Sequence, residues 1–141
     1  MAAESFVDTN ILLYAASTDP GEADKRTKAR EILAGADWGL SVQVLQELYV
    51  NLIRPSRRAM SHEHAVALIR QLMRLMRRPL VATDSGLLLD ALGLKQRFQL
   101  SYWDAAIIAA AKALGASVLY SEDLNHGQDY GGVTVENPFG V

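Results

Sequence analysis

The stretch Ser5-Phe6-Val7-Asp8-Thr9-Asn10-Ile11-Leu12 contains the transition that decides the fold. Its first three residues form a short apolar run that predicts a strand, and the next three close that run. Ile11 and Leu12 begin a mainly apolar segment that continues to Ala16 and indicates a helix. The chain therefore begins with a strand-to-helix junction, and Asp8 stands at the carboxyl end of the strand.

The same alternation of short strands and helices continues along the chain. It implies a mostly parallel sheet that is covered by helices on both faces, a three-layer α/β/α sandwich. Ser41, Asp84 and Ser101 are predicted to cap helices. Further strands are predicted at Trp38–Leu40, Pro79–Ala82, Ser117–Tyr120 and Val133–Val135, and further helices at Glu22–Leu33, Val42–Ile53, Ser61–Met76, Gly86–Phe98 and Tyr102–Leu114.

The composition predicts a single domain over residues 1–141. Half of the 141 residues are hydrophobic, which suffices for one core but not for two ordinary domains. The sequence has no run of about 18 uncharged apolar residues and no secretory signal pattern, so a cytoplasmic protein without a membrane segment is expected. The lack of cysteine excludes thiolate nucleophiles and Cys-based zinc sites, so any metal must be held by oxygen or imidazole.

Basic residues are concentrated in one part of the chain, although the net charge is -2. Seven of the fourteen lie between Arg54 and Arg78. Along the predicted helix Ser61–Met76 and just after it, Arg70, Arg74 and Arg77 line one face, which fits either a ridge that contacts phosphates or an ordinary solvated helix face. Arg54, Arg57 and Arg58 are the candidates for a basic rim that contacts RNA.

Several acids occupy positions where a ligand site is expected. Asp8 and Asp123 follow predicted strands, and the carboxyl ends of parallel strands meet at the edge where open α/β sheets bind ligands. Asp104 shares one face of its helix with Ile107 and Ile108. A carboxylate on an apolar surface is costly unless it is paired, protonated or bound to a cation.

Each acid also has a simpler structural interpretation, which the sequence leaves open. Asp8 can help to cap the following helix, Asp123 can be a turn residue, and Glu47 can lie on the solvent side of its helix. Asp104 and Ser101 fit a capping box, in which a first-turn acid satisfies a free backbone N–H. These interpretations do not explain why acids recur at strand ends and helix starts without a basic residue nearby in the sequence.

A cluster of three or four carboxylates without Cys or suitably spaced His is the oxygen-rich shell that Mg²⁺ or Mn²⁺ takes. Such an ion can activate a bound water and offset charge in phosphoryl chemistry. The hydroxyls of Thr9 and Ser121 are candidates for orienting that water or a carboxylate. His62 and His64 point in different directions and form no zinc site, and His126 is either an RNA contact or a solvated loop residue.

Four motifs carry a resemblance to a known family. In order and spacing they span nearly the whole chain, and together they resemble PIN-domain ribonucleases, the VapC-type toxins of type II toxin-antitoxin systems. The motifs are Phe6–Leu12, Gln46–Leu48, Ser101–Ile107 and Leu119–Gly127.

The resemblance implies a PIN fold and hydrolysis of RNA phosphodiester bonds by a metal-activated water. It also implies a homodimer and inhibition by a VapB-type antitoxin. Because Glu122 lies beside Asp123, the sequence leaves open whether one or both of these acids face the metal. The expected catalytic and Mg²⁺-binding acids are Asp8, Glu47, Asp104 and Asp123, with Mn²⁺ as a substitute ion and with Thr9, Asn10 and Ser121 in supporting roles.

Two rival functions remain. In a phosphatase or phosphotransferase, Asp8 would attack phosphorus itself. Haloacid-dehalogenase-like phosphatases, however, have a second Asp two residues on, where this chain has Asn10. The other rival is a catalytically inactive PIN-type module that binds RNA or protein without cutting, and the complete set of acids argues against it.

Overall fold

A computed structural model describes residues 4–35, 37–56 and 58–140 of the chain. Its centre is a sheet of four parallel strands, β1 (Ser5–Val7), β2 (Trp38–Gly39), β3 (Val118–Tyr120) and β4 (Thr134–Glu136), in the spatial order β2-β1-β3-β4. Phe6 in the central strand β1 pairs with Gly39 on one side and Leu119 on the other. The predicted α/β fold with a parallel central sheet is thus confirmed.

The helices lie between the strands along the chain, as the alternation predicted. Most begin at a side-chain cap: the Ser41, Asp84 and Ser101 side chains each accept a backbone N–H three residues on. The helices of the described residues are α1 (Thr9–Ala16), α2 (Ala23–Ala34), α3 (Val42–Leu52), α4 (His62–Leu75), α5 (Ser85–Phe98) and α6 (Tyr102–Leu114), with a short 3₁₀ helix at Pro20–Glu22.

Helix α6 is the most deeply buried helix and packs against β1 and β3. Every residue from Ala105 to Ala111 is buried, and these small and aliphatic side chains let the helix approach the sheet closely. The helix ends at Gly115, whose φ of 82° is the left-handed conformation that glycine adopts most readily. This packing fixes the first turn of α6, which carries Asp104.

The predicted strand Pro79–Ala82 is wrong. Only Val81 pairs, through one isolated bridge to Ser41: Val42 N–H donates to Val81 at 2.9 Å, and Val81 N–H donates to Leu40 at 3.1 Å. Pro79 has no N–H to donate, and the chain turns into α5 at Asp84 before a longer ladder can form. The described helices include none that is long and apolar enough to cross a membrane.

Candidate active site

Four acids from four separate elements line one cavity. Asp8 follows β1, Asp123 follows β3, Glu47 lies in α3, and Asp104 lies in the first turn of α6. The cavity has a volume of about 270 Å³. The other lining residues are Thr9, Asn10, Leu13, Asn51, Trp103 and Ile107.

Asp8 is the most buried of the four acids, with 6% of its surface exposed. Its two oxygens accept hydrogen bonds from the Thr9 backbone N–H at 2.7 Å and from the Ser121 hydroxyl at 2.8 Å. Burial raises the pKa of Asp8 to about 6, the charges of Asp123 and Glu47 add to this rise, and the two hydrogen bonds oppose it. Asp8 is thus held in one orientation in a place where its negative charge is costly.

Glu47 is held by hydrogen bonds to both of its oxygens. The Thr9 hydroxyl donates to Oε2 at 2.9 Å, and Gln43 Nε2 donates to Oε1 at 3.0 Å. Gln43 Nε2 also donates to the backbone oxygen of Trp103 at 3.2 Å, which links α3 to the start of α6. The sequence analysis missed Gln43, although its spacing of four residues from Glu47 on one helix face was a usable signal.

Asp123 is positioned by Asn10. Asn10 Nδ2 donates to Asp123 Oδ2 at 3.0 Å, and Asn10 Oδ1 accepts the Glu122 backbone N–H at 3.2 Å. The Asp123 N–H also donates to the Ser121 hydroxyl oxygen at 3.2 Å. The side chain of Asn10 therefore fixes the turn after β3 relative to the start of α1.

Asp104 takes part in a helix cap and also lines the cavity. Its backbone N–H donates to the Ser101 hydroxyl oxygen at 3.1 Å, which is the half of the predicted capping box that Ser101 supplies. Partial burial raises the pKa of Asp104, the Ser101 hydroxyl opposes the rise, and the charges of Asp123 and Glu47 add to it. Helix capping therefore does not account for the environment of the side chain.

Glu122 lies in a different environment from the cavity acids. Its carboxylate accepts hydrogen bonds from the Tyr14 hydroxyl at 2.7 Å and from Lys25 Nζ at 2.7 Å. Burial raises the pKa of Glu122, but the hydrogen bonds from Lys25 and Tyr14 outweigh it and hold the pKa below its usual range. Glu122 is therefore a structural partner of α1 and α2, and it is not among the residues that line the cavity.

The cavity acids form an all-oxygen donor set without a cationic partner. None of the ion pairs among the described residues includes Asp8, Glu47, Asp104 or Asp123. In the part of the chain that the structure describes, no group of three or more Asp, Glu or His side chains is arranged so that it could hold a metal ion as it stands. The carboxylates instead accept hydrogen bonds from neighbouring groups. Their chemistry suits Mg²⁺ or Mn²⁺, and binding would require them to turn toward the ion.

A model of the PIN domain family matches residues 5–128. The chain belongs to the PIN domain family. The match includes all four cavity acids, and it agrees with the resemblance that the four sequence motifs indicated. No curated protein sequence matches the chain.

Solved structures share the fold of this PIN domain. VapC20 of Mycobacterium tuberculosis, described as a sarcin-ricin loop cleaving toxin, is 24% identical, with a TM-score of 0.67 and coverage of 94% of this chain and 99% of that one. A toxin-antitoxin complex from Klebsiella pneumoniae is 18% identical, with a TM-score of 0.69 and coverage of 98% of this chain and 100% of that one. VapBC2 of Rickettsia felis, bound to a promoter DNA fragment, is 14% identical, with a TM-score of 0.65 and coverage of 94% of this chain and 96% of that one.

The basic candidates of the PIN domain lie in different places. Arg58 lines a second cavity that shares Leu13 and Asn51 with the acid cavity, and its guanidinium donates to the Thr18 backbone oxygen at 3.1 Å. Arg54 is exposed just after α3 and lines neither cavity.

His126 makes a backbone contact outside the acid cavity. His126 Nδ1 accepts the Asn137 backbone N–H at 3.0 Å, and His126 is not among the residues lining the acid cavity. Arg57 lies outside the described residues. RNA contact by Arg54, Arg57, Arg58 and His126 stays a prediction.

Proposed function

We propose that this PIN domain is a magnesium-dependent endoribonuclease and the toxin of a VapBC-type pair. The observation that carries the proposal is the convergence of four carboxylates on one cavity without a cationic side chain. Membership of the PIN family supports it, and so does the fold shared with VapC20, which is described as cleaving the sarcin-ricin loop. The inactive binding module fits less well, because uncompensated acids repel RNA unless a cation lies between them.

The proposed roles follow from the hydrogen bonds. Asp8, Glu47, Asp104 and Asp123 would hold Mg²⁺, or Mn²⁺ in its place. When bound, such an ion supplies a water of lowered pKa and offsets the charge that develops on the phosphate oxygens.

The supporting residues keep the carboxylates in position. Ser121 and the Thr9 N–H fix Asp8, the Thr9 hydroxyl and Gln43 fix Glu47, and Asn10 fixes Asp123. These hydrogen bonds place the carboxylates at the cavity wall, from which they would turn toward the ion on binding it. In the proposed reaction, water adds to phosphorus and one P–O ester bond breaks, leaving a phosphate monoester on one RNA end and a hydroxyl on the other.

The test is cleavage of total bacterial RNA by purified protein, with new RNA ends mapped by sequencing. Wild type, Asp8→Asn and the matched control Glu122→Gln are each compared with Mg²⁺ and with chelator. We expect discrete cuts from wild type and Glu122→Gln with Mg²⁺ only, and linear phosphate ends. Cuts by Asp8→Asn, cuts in chelator, or 2′,3′-cyclic phosphate ends would contradict the proposal, because attack by a ribose hydroxyl needs no activated water.

The proposal includes a homodimer and a VapB-type antitoxin. An apolar cleft between α3 and α4 supports a protein partner: Val50 and Met73 line it and are 53% and 46% exposed. The toxin-antitoxin structures from K. pneumoniae and R. felis support the antitoxin.

Light scattering on the purified chain tests the dimer, with a monomer as the contradicting result. Co-expression with a neighbouring gene tests the antitoxin. Relief of the growth arrest would support it, and an unchanged arrest would count against it.

A further inference from the structure

Trp103 presents a large aromatic ring to solvent at the edge of the acid cavity. It is 64% exposed, whereas the only other tryptophan, Trp38, is 4% exposed. Trp103 directly precedes Asp104 and lines the same cavity. Exposed tryptophan is unfavourable in water and is enriched where proteins contact ligands or partners. The position of this ring therefore calls for a ligand that also occupies the cavity.

The ring is held at its base and open on its surface. The Trp103 backbone oxygen accepts a hydrogen bond from Gln43, the same amide that holds Glu47. The Tyr102 ring meets the indole edge to face, with centroids 5.1 Å apart and planes at 79°. A perpendicular contact covers at most one face of the indole, and because 64% of Trp103 is exposed, the ring keeps open surface on which a planar ligand can stack.

The surroundings favour an uncharged planar ligand. Acidic side chains line the cavity beside Trp103, and they repel anions. An RNA strand that reaches these acids needs a contact that does not involve its phosphates, and a base stacked on an aromatic ring supplies one. The cavity that contains Arg58 adjoins the acid cavity through Leu13 and Asn51 and does not include Trp103. A strand that crosses the acids can thus meet the Trp103 ring and the Arg58 guanidinium in separate places.

We propose that the Trp103 indole stacks on an unpaired nucleobase next to the scissile phosphate and so helps to select the position at which the RNA is cut. This inference rests on the proposed ribonuclease activity. It assigns Trp103 a role in substrate selection and leaves the chemistry to the acids. Leu89 of α5 provides a matched control, because it is 67% exposed and does not line the acid cavity.

The test is a double cycle on an RNA that the wild type cuts. Trp103→Ala should lower kcat/KM about tenfold, since stacking of one base contributes a factor of this order. Trp103→Phe should retain most activity, and Leu89→Ala all of it. A single abasic nucleotide beside the cut should lower wild-type kcat/KM by the same factor and leave Trp103→Ala unaffected. If every abasic position near the cut affects wild type and Trp103→Ala equally, the stacking proposal is wrong. The wild type alone also tests the proposal, even if Trp103→Ala fails to fold. If no single abasic position near the cut lowers the wild-type kcat/KM, the stacking proposal is wrong.

A second measurement separates this inference from the ribonuclease proposal. Trp38 is buried, so quenching of tryptophan fluorescence by a short unstructured oligoribonucleotide reports on Trp103. We expect quenching by the RNA and much less by an abasic strand of equal length. Quenching without any cleavage would retain the stacking and refute the nuclease. Cleavage with equal quenching by both strands, or with none, would retain the nuclease and refute the stacking.

Discussion

Glu122 and Asp123 are neighbours in the sequence, yet their carboxylates lie in opposite environments. Glu122 accepts hydrogen bonds from Lys25 and Tyr14, which hold its pKa low. Asp123 faces the acid cavity and receives only the neutral amide of Asn10. The fold thus supplies a cation to one carboxylate and none to the next.

The same contrast separates two groups of acids across the molecule. Asp37 accepts two hydrogen bonds of 2.7 Å from Arg78, and this contact holds the pKa of Asp37 below its usual value. Asp8 has no such partner, and burial raises its pKa to about 6. Glu122 and Asp37 are each neutralised by a basic side chain, whereas burial raises the pKa of Asp8 and Asp104 and no cation offsets it. This contrast supports the proposal that the cavity acids bind an external cation.

The largest expected effect concerns the neighbouring pair. Asp123→Asn should lower kcat/KM for RNA about a thousandfold, because a lost metal-binding acid removes several kcal/mol of transition-state stabilisation. Glu122→Gln should change it no more than a few fold. The amide that replaces the Asp123 carboxylate can still accept the hydrogen bond from Asn10, so the change is mainly one of charge. Equal losses in both variants would erase the distinction between the two carboxylates.

A smaller effect concerns the stability of the metal-free protein. The folded-state pKa of Asp8 lies above its ordinary 3.8, so ionisation destabilises the fold; this cost is absent below about pH 4 and complete above about pH 6. In chelator, Asp8→Asn should therefore raise the free energy of unfolding by about 1–2 kcal/mol at neutral pH. This gain is smaller than the free energy that corresponds to the whole pKa shift, because the Asn side chain has one acceptor oxygen for the two donors, the Thr9 N–H and the Ser121 hydroxyl. Denaturant melts should show the gain disappear near pH 4. A loss of stability at neutral pH would make Asp8 a structural residue.

The opposite pH dependence is expected for Asp37. Its folded-state pKa lies below the ordinary value, so its stabilisation is present at neutral pH and is lost as the pH falls below about 4. Asp37→Asn should lower Tm by a few degrees at neutral pH and by much less at acid pH. Asparagine tolerates the positive φ of 62° at this position, so backbone strain does not confuse the comparison. Thermal melts at both pH values give the answer, and a neutral-pH Tm equal to wild type would show that the ion pair contributes nothing.

Much of the fold could be predicted because its signals are local. The strand Ser5–Val7 is followed by an acid, and the apolar run of Tyr102–Leu114 ends at Gly115, so these elements agree with the prediction. The strand predicted at Pro79–Ala82 was wrong, because a run of apolar β-type residues does not indicate how many of its backbone N–H groups pair with a neighbouring strand. Asp8 and Asp123 could be expected at one sheet edge from strand order alone.

The contacts that distinguish the two groups of acids are not local. Lys25 reaches Glu122 across 97 positions, and Gln43 reaches the Trp103 oxygen across 60. No pattern of charge or spacing near Glu122 indicates that it turns away from the cavity while Asp123 turns toward it. Glu47 could be assigned to the site only through the family resemblance, because its helix gives no sign of which elements it faces.

The most direct test of the central claim is a Mg²⁺ titration followed by thermal melting, since a ligand that binds only the folded state raises Tm. Wild type and Glu122→Gln should gain several degrees in saturating Mg²⁺, beyond any change in NaCl of equal ionic strength. Asp8→Asn and Asp123→Asn should gain much less, although both fold. If all four proteins gain equally, or if none does, the cavity acids do not hold a divalent cation and the account of the site is wrong.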